Sequence, residues 1–165
     1  GHVNPTTGGG IAGAAYAGKY AGEQAMEAIE AGDVSEDALW AYNERVMDHY
    51  GARYAALDVY NILSTAVDVD DLMGLLAALP TAKLSEALYS GTTNVGWWLK
   101  LKTAVKSLGY WDVIYTFYRT KREADRLIDH YADYPTSPDA FDGWQRHRDD
   151  IMDGVYAVTG ADPKY

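Results

Sequence analysis

Three consecutive glycines, Gly8, Gly9 and Gly10, follow a short loop containing Asn4-Pro5 and lead straight into a run of small residues, Ile11-Ala12-Gly13-Ala14-Ala15. Backbone N–H groups at the start of a helix lack intrahelical partners and sit at the positive end of its dipole. Glycine carries no Cβ, so a ligand can approach that backbone closely. The arrangement suits an electron-rich or anionic group on a cofactor. On residue chemistry alone, the same pattern also reads as a tight turn, with Asn4 and Pro5 supplying turn chemistry.

Side chains offer less. The carboxylate pairs Asp70-Asp71 and Asp149-Asp150 are neighbours in sequence, and adjacent residues on a helix point in different directions. They read as solvated acidic faces. Ser64-Thr65 and Thr92-Thr93 have no histidine at a useful spacing, so nucleophilic catalysis is unsupported. Cysteine is absent, which excludes disulfides, thiolate metal sites and a cysteine nucleophile. His2, His49, His130 and His147 are scattered without a metal-ligand spacing and read as surface or capping residues.

The elements around the glycines read as helices. Residues 10–31 form one helix, with Gly10, Ala14, Gly18 and Gly22 spaced by four along a face that permits close backbone approach. Gly32 is its C-terminal stop. Asp33 or Ser35 caps a second, long helix, with Glu36 and Asp37 in its first turn. Its apolar positions Leu39, Tyr42, Val46, Met47 and Tyr50 recur every three or four residues and resume past Gly51 at Leu57, Tyr60 and Leu63. Asp70 and Asp71 open a short helix that Pro80 stops, and Thr81 caps another up to Ser90-Gly91. Residues 93–108 form an amphipathic helix with Trp97, Trp98, Leu101, Ala104, Val105 and Leu108 on one face. A helix over about 110–131 carries the stripe Val113, Phe117, Ala124, Leu127 and Ile128. Ser137 with Pro138 opens the last helix, to about Val158. No strand or internal repeat is evident. The chain reads as mainly α.

At 165 residues the chain can bury a real core. Its net charge is -10, with Asp in excess and lysine scarce. That balance argues against nucleic-acid binding, which needs a basic face. It favours a halophilic protein, in which salt screens a dense negative surface, over a merely acidic one. No stretch reaches the roughly 18–20 apolar residues that span a bilayer. Three of the seven lysines, Lys100, Lys102 and Lys106, accompany Trp97-Trp98. That combination suits either a helix at a lipid interface or a core helix with solvated lysines.

The string Gly-His-Val-Asn-Pro-Thr-Thr-Gly-Gly-Gly-Ile, followed by Ala14, Gly18, Ala21, Gly22 and Gly32-Asp33, resembles the second flavin-contacting segment of the geranylgeranyl reductase family. These are FAD-dependent α+β flavoproteins of the aromatic-hydroxylase-like type. The resemblance is strong over residues 1–35 and looser beyond. It implies that residues 1–34 complete an upstream FAD-binding domain and that 35–165 form a C-terminal helical domain. It implies that Gly10 and Ile11 meet the flavin's pyrimidine edge, with Gly8, Gly9, Asn4 and Pro5 shaping the loop beside it. It places no catalytic side chain and no metal in this chain. The implied cofactor is FAD, and the implied substrate is a prenyl lipid whose geranylgeranyl chains are saturated in archaeal ether-lipid biosynthesis. The electron donor, reduced ferredoxin or NAD(P)H, stays open. The chain starts inside the motif and reads as the C-terminal portion of a longer, cytoplasmic protein, with peripheral contact at the inner face of the membrane a further expectation. Alternatives are another FAD-dependent oxidoreductase, a hydroxylase or halogenase, and a helical binding module without redox chemistry.

Overall fold

A computed structural model describes residues 3–4, 7–78 and 108–163, and every described element is helical. In order these are α1 (Ile11–Ala31), α2 (Glu36–Leu39), α3 (Ala41–Val46), a π-helical turn (Met47–Gly51), α4 (Ala52–Ala66), α5 (Val69–Ala78), α6 (Trp111–Ala132) and α7 (Phe141–Thr159). Short 3-10 turns, Leu108–Tyr110 and Pro138–Ala140, lead into α6 and α7. The helices expected over 81–91 and 93–108, including Trp97 and Trp98, lie outside the described residues. Two compact units divide the chain: residues 1–65 with 119–165, and residues 66–118.

Sequence punctuation sets most boundaries. Gly32 takes the left-handed conformation, φ 71, and its N–H closes on the carbonyls of Ala28 and Ile29. An L residue there would pay about 1–2 kcal/mol. Ser35, not Asp33, caps α2: its hydroxyl accepts from the Ala38 N–H at 3.3 Å, while Asp33 accepts from the Ser35 N–H at 2.9 Å. Asp68 caps α5 by accepting from the N–H groups of both Asp70 and Asp71. The expected start at Asp70-Asp71 therefore moves to Val69, because the acceptor is the aspartate before it.

The long helix expected after Ser35 is interrupted twice. Trp40, between α2 and α3, keeps helical dihedrals, is buried, and donates from Nε1 to the Pro135 carbonyl at 2.7 Å. Its ring stacks on Tyr134 and meets Phe141 edge-on. The π turn then widens the helix at Met47–Gly51.

The first unit has two apolar centres. One joins Ala56 and Val59 of α4, Ala124 and Leu127 of α6, and Ile151 and Val155 of α7. Large aliphatic side chains buried in such a layer stabilise by roughly 1.5–3 kcal/mol each. The other joins Ala17 of α1 to Val46 and Tyr50, with Tyr20, Tyr42 and Tyr54 packed around them. On α6 the buried line is Thr120, Ala124 and Leu127, whereas Ile128, expected on the stripe, is exposed. The Thr120 hydroxyl is buried with no hydrogen-bond partner. In the second unit, Gly74 of α5 lets the Tyr110 ring lie where a Cβ would be.

α1 has two unlike faces. Gly13, Ala17, Gln24 and Ala28 are buried, and Gln24 donates to the Ala38 carbonyl at 2.8 Å. A neighbouring face, Ile11, Ala14, Gly18, Gly22, Ala25 and Ile29, is exposed and carries no charge. At 100° per residue these six fall within about 80° of one another. Ile11 is 91% and Ile29 71% exposed, and Met26 beside them is 61% exposed.

Candidate functional site

The glycine loop closes on itself. The Asn4 N–H donates to the Gly9 carbonyl at 3.0 Å, and the Gly8 N–H donates to the Asn4 carbonyl at 2.9 Å. The Asn4 side chain accepts from the Thr7 N–H at 3.1 Å, and the Thr7 hydroxyl from the Gly9 N–H at 3.3 Å. Gly8 makes the reversal at φ 69, a conformation L residues rarely adopt. At Gly9, a Cβ would press on the Thr7 hydroxyl at 3.3 Å. The loop thus presents backbone, with Asn4 as its brace. Pro5 lies outside the described residues.

Gly10 is the N-cap of α1 and supplies no capping side chain, and no acid stands in the first turn. The positive end of a 21-residue helix is therefore left without an internal anion. Gly8, Gly9 and Ile11 are exposed and Gly10 is half-buried. An electron-rich ring edge could reach the amides at Gly10 and Ile11, a donor set that fits the pyrimidine side of a flavin. Among the described residues no group of three or more His, Asp or Glu side chains could hold a metal ion.

A set of clefts centres on Tyr131. Val3 borders the first, about 260 Å³, together with Met47, Tyr50, Gly51, Tyr54, Ala55, Asp58 and Tyr131. A second, about 320 Å³, shares Ala55, Asp58 and Tyr131 and is closed by Arg148, Met152 and Tyr156 of α7. A third shares Met47 and Tyr131 and runs along Arg45, Ile128 and Tyr134. Gly51, in the π turn, permits this crossing: a Cβ there would meet the Met47 sulfur at 2.8 Å and the Tyr131 ring at 3.2 Å. π turns recur at functional sites because they re-aim the side chains beside them.

Electrostatics in the clefts follow from burial. Desolvation pushes the Asp58 carboxyl above its ordinary 3.8. Burial pushes the Tyr131 phenol above its ordinary 10.0, and the charges of Asp58 and Asp149 add to that, while the nearby Arg148 guanidinium opposes it. Arg148 also grips Asp149 through Nε at 2.9 Å. None of these residues carries a local motif, and their convergence depends on three helices packing together.

The histidines correct one expectation. His130 is half-buried rather than a surface residue: its Nε2 donates to the Trp144 carbonyl at 2.9 Å, and the Trp144 indole donates back to the His130 carbonyl at 3.1 Å. The His130 ring stacks on both Trp144 and His147, each at 4.7 Å. His49 is exposed and shares a hydrogen bond of 2.7 Å with the Tyr20 hydroxyl. Asp70, Asp71, Asp149 and Asp150 are exposed, as expected of solvated faces. No helix among the described residues is long and apolar enough to cross a membrane.

No family model matches the chain. It is similar to digeranylgeranylglycerophospholipid reductase of Sulfolobus acidocaldarius, 27% identical over 152 residues that cover 91% of this chain and 34% of that protein. It is 32% identical over 100 residues to digeranylgeranylglycerophospholipid reductase 2 of Methanopyrus kandleri, covering 53% of this chain and 25% of that protein. Over 52 residues it is 50% identical to digeranylgeranylglycerophospholipid reductase 1 of Methanococcoides burtonii, covering 32% of this chain and 13% of that protein. The chain thus spans about a third of the first relative's length and less of the others.

Proposed function

From the premise that the chain is a relative of the geranylgeranyl reductases, we propose that it is the C-terminal part of an FAD-dependent reductase that saturates geranylgeranyl chains of archaeal ether lipids. The observation that carries the reading is the glycine loop with its uncapped, acid-free helix start. Gly10 and Ile11 hold the flavin edge through backbone N–H groups, and Asn4 keeps the loop in shape. FAD, when bound, supplies the hydride equivalent. The chain's own part is to place positive backbone dipoles where that ring gains charge, without reorganisation during the reaction. The uncharged outer face of α1 is the surface on which the rest of such a flavoprotein packs. The prenyl lipid and the electron donor, reduced ferredoxin or NAD(P)H, are met by that larger protein.

The test is made on the full-length protein. Purified, it carries bound flavin and adds hydrogen to geranylgeranyl lipids, read as a mass increase. Gly10→Val puts a branched side chain against the ring. It lowers flavin retention and cuts the rate about tenfold or more, a loss of about 1.4 kcal/mol of transition-state stabilisation. Unchanged flavin content and rate in that variant would refute the contact.

A further inference from the structure

Asp58 stands where the loop-facing cleft and the outward cleft meet. It lines both, together with Ala55 and Tyr131, so this group forms a wall with one side toward Val3 and the other toward α7. Val3 is the residue next to Asn4, the brace of the glycine loop. Adding hydrogen across a C=C bond takes a hydride for one carbon and a proton for the other, so each saturated bond consumes one proton. Hydride chemistry at the loop leaves that proton to be delivered from elsewhere. Asp58 has access to both clefts, and among the described residues no other carboxylate lines the cleft bordered by Val3.

Resting on the reductase reading, we propose that Asp58 is the proton-relay residue of this chain, passing protons from the outward cleft to the cleft bordered by Val3. The Asp58 O–H bond breaks and its proton goes to the carbon of the C=C bond that does not receive the hydride, where the new C–H bond forms. The carboxylate left behind is reprotonated by hydronium from the outward cleft, which becomes water, and no electrons move through it. Tyr131 is a positioning residue: it lines both clefts beside Asp58.

The surroundings suit the task. Tyr50 and Tyr54 face the loop-side cleft from the π turn and α4. Tyr131 faces both clefts from α6, and Arg148, Asp149, Asp153 and Tyr156 face the outward one from α7. Arg148 is paired with Asp149. Burial moves the Asp58 carboxyl toward neutral pH, the direction a relay needs.

The experiment uses the full-length holoenzyme. Asp58→Asn lowers kcat at least about tenfold, toward the range typical of lost acid–base catalysis. Its KM for the prenyl lipid and its flavin content stay at wild-type levels. Added formate or imidazole restores the rate in proportion to concentration, which a structural defect would not allow. Infrared difference spectra across a pH titration lose one protonated-carboxyl band in the variant. Asp58→Glu guards against a folding loss: it keeps flavin and activity but shifts the pH–rate profile. A wild-type rate and profile in Asp58→Asn, or an unshifted profile in Asp58→Glu, overturns the relay. A wild-type protein with no flavin, or no reduction of prenyl lipids, overturns the reductase reading instead.

Discussion

Gly18→Ala with Gly22→Ala tests whether the outer face of α1 is built to be covered. Both glycines are interior to a helix, both are exposed, and an added Cβ at either meets nothing within 4 Å. In an exposed helix interior alanine is favoured over glycine by about 0.8–1.0 kcal/mol, through lower backbone entropy in the unfolded chain. The pair should stabilise the 165-residue chain by about 2 kcal/mol, because the sites are one turn apart and neither methyl touches a neighbour. For a chain of this size that raises the Tm by about 4–8 °C. If another domain docks on this face in the full-length protein, the same methyls enter a close backbone contact. Overpacking costs about 1–3 kcal/mol per site, so the sign reverses. Thermal denaturation followed by circular dichroism, on the chain and on the full-length protein, reads both numbers. Equal stabilisation in the two would refute the docking of another domain on this face. No gain in the chain would refute the claim that the face is open within it.

Trp40→Phe keeps the stacked ring but removes the donor to the Pro135 carbonyl; urea denaturation should show a loss of about 1–3 kcal/mol, and a loss under about 0.5 kcal/mol would mean the bond contributes little. His130 supplies a pH dependence. Burial lowers its pKa below the ordinary 6.5, and the His147 and Arg148 charges add to this, while the Trp144 bond and Asp133 oppose it. The unfolded chain therefore binds the proton first, so this contribution is full above 6.5 and is lost as pH falls toward the lower folded value. Thermal midpoints should drop below pH 6.5 more steeply in the wild type than in His130→Gln, and parallel curves would contradict the assignment.

What could be read in the sequence was what the chain encodes locally. Gly10 and Gly32 bracket α1, whose ends are Ile11 and Ala31, and Gly32 stops the helix by its own left-handed φ. Ser35 was legible too, since a cap needs only its next three residues, whereas the start expected at Ser137-Pro138 is a 3-10 turn without a Ser137 cap bond, and the last α-helix begins at Phe141. The interruption at Trp40 was not legible: its backbone keeps helical dihedrals, and the partner of its buried indole is a carbonyl 95 residues away. Thr120 in place of Ile128 on the buried line of α6 was missed because a hydroxyl scores as polar, whereas the packed face is fixed by α4 and α7. His130 failed similarly: it is defined by its partners on α7, and a ring stack has no sequence spacing, whereas His49 and His147 are exposed as expected.

The candidate site divides along that line. Its loop is local: Asn4, Thr7, Gly8 and Gly9 hold one another within six residues, so residue types alone disclosed a backbone that an electron-rich ring could approach. The Asp58–Tyr131 wall is not local. It exists because the π turn sets Gly51 opposite Tyr131, and because only glycine leaves room for that ring. In the sequence Gly51 was a weak spot in a helical pattern, which is how a glycine kept for a partner far along the chain must look from one strand of text. A glycine that costs helix stability and carries no turn is therefore a pointer to a close approach. The same logic applies at Gly74, where the Tyr110 ring fills the missing side chain's place. Gly18 and Gly22 complete the series: they bear the same helical cost, and within this chain nothing yet fills the space they leave.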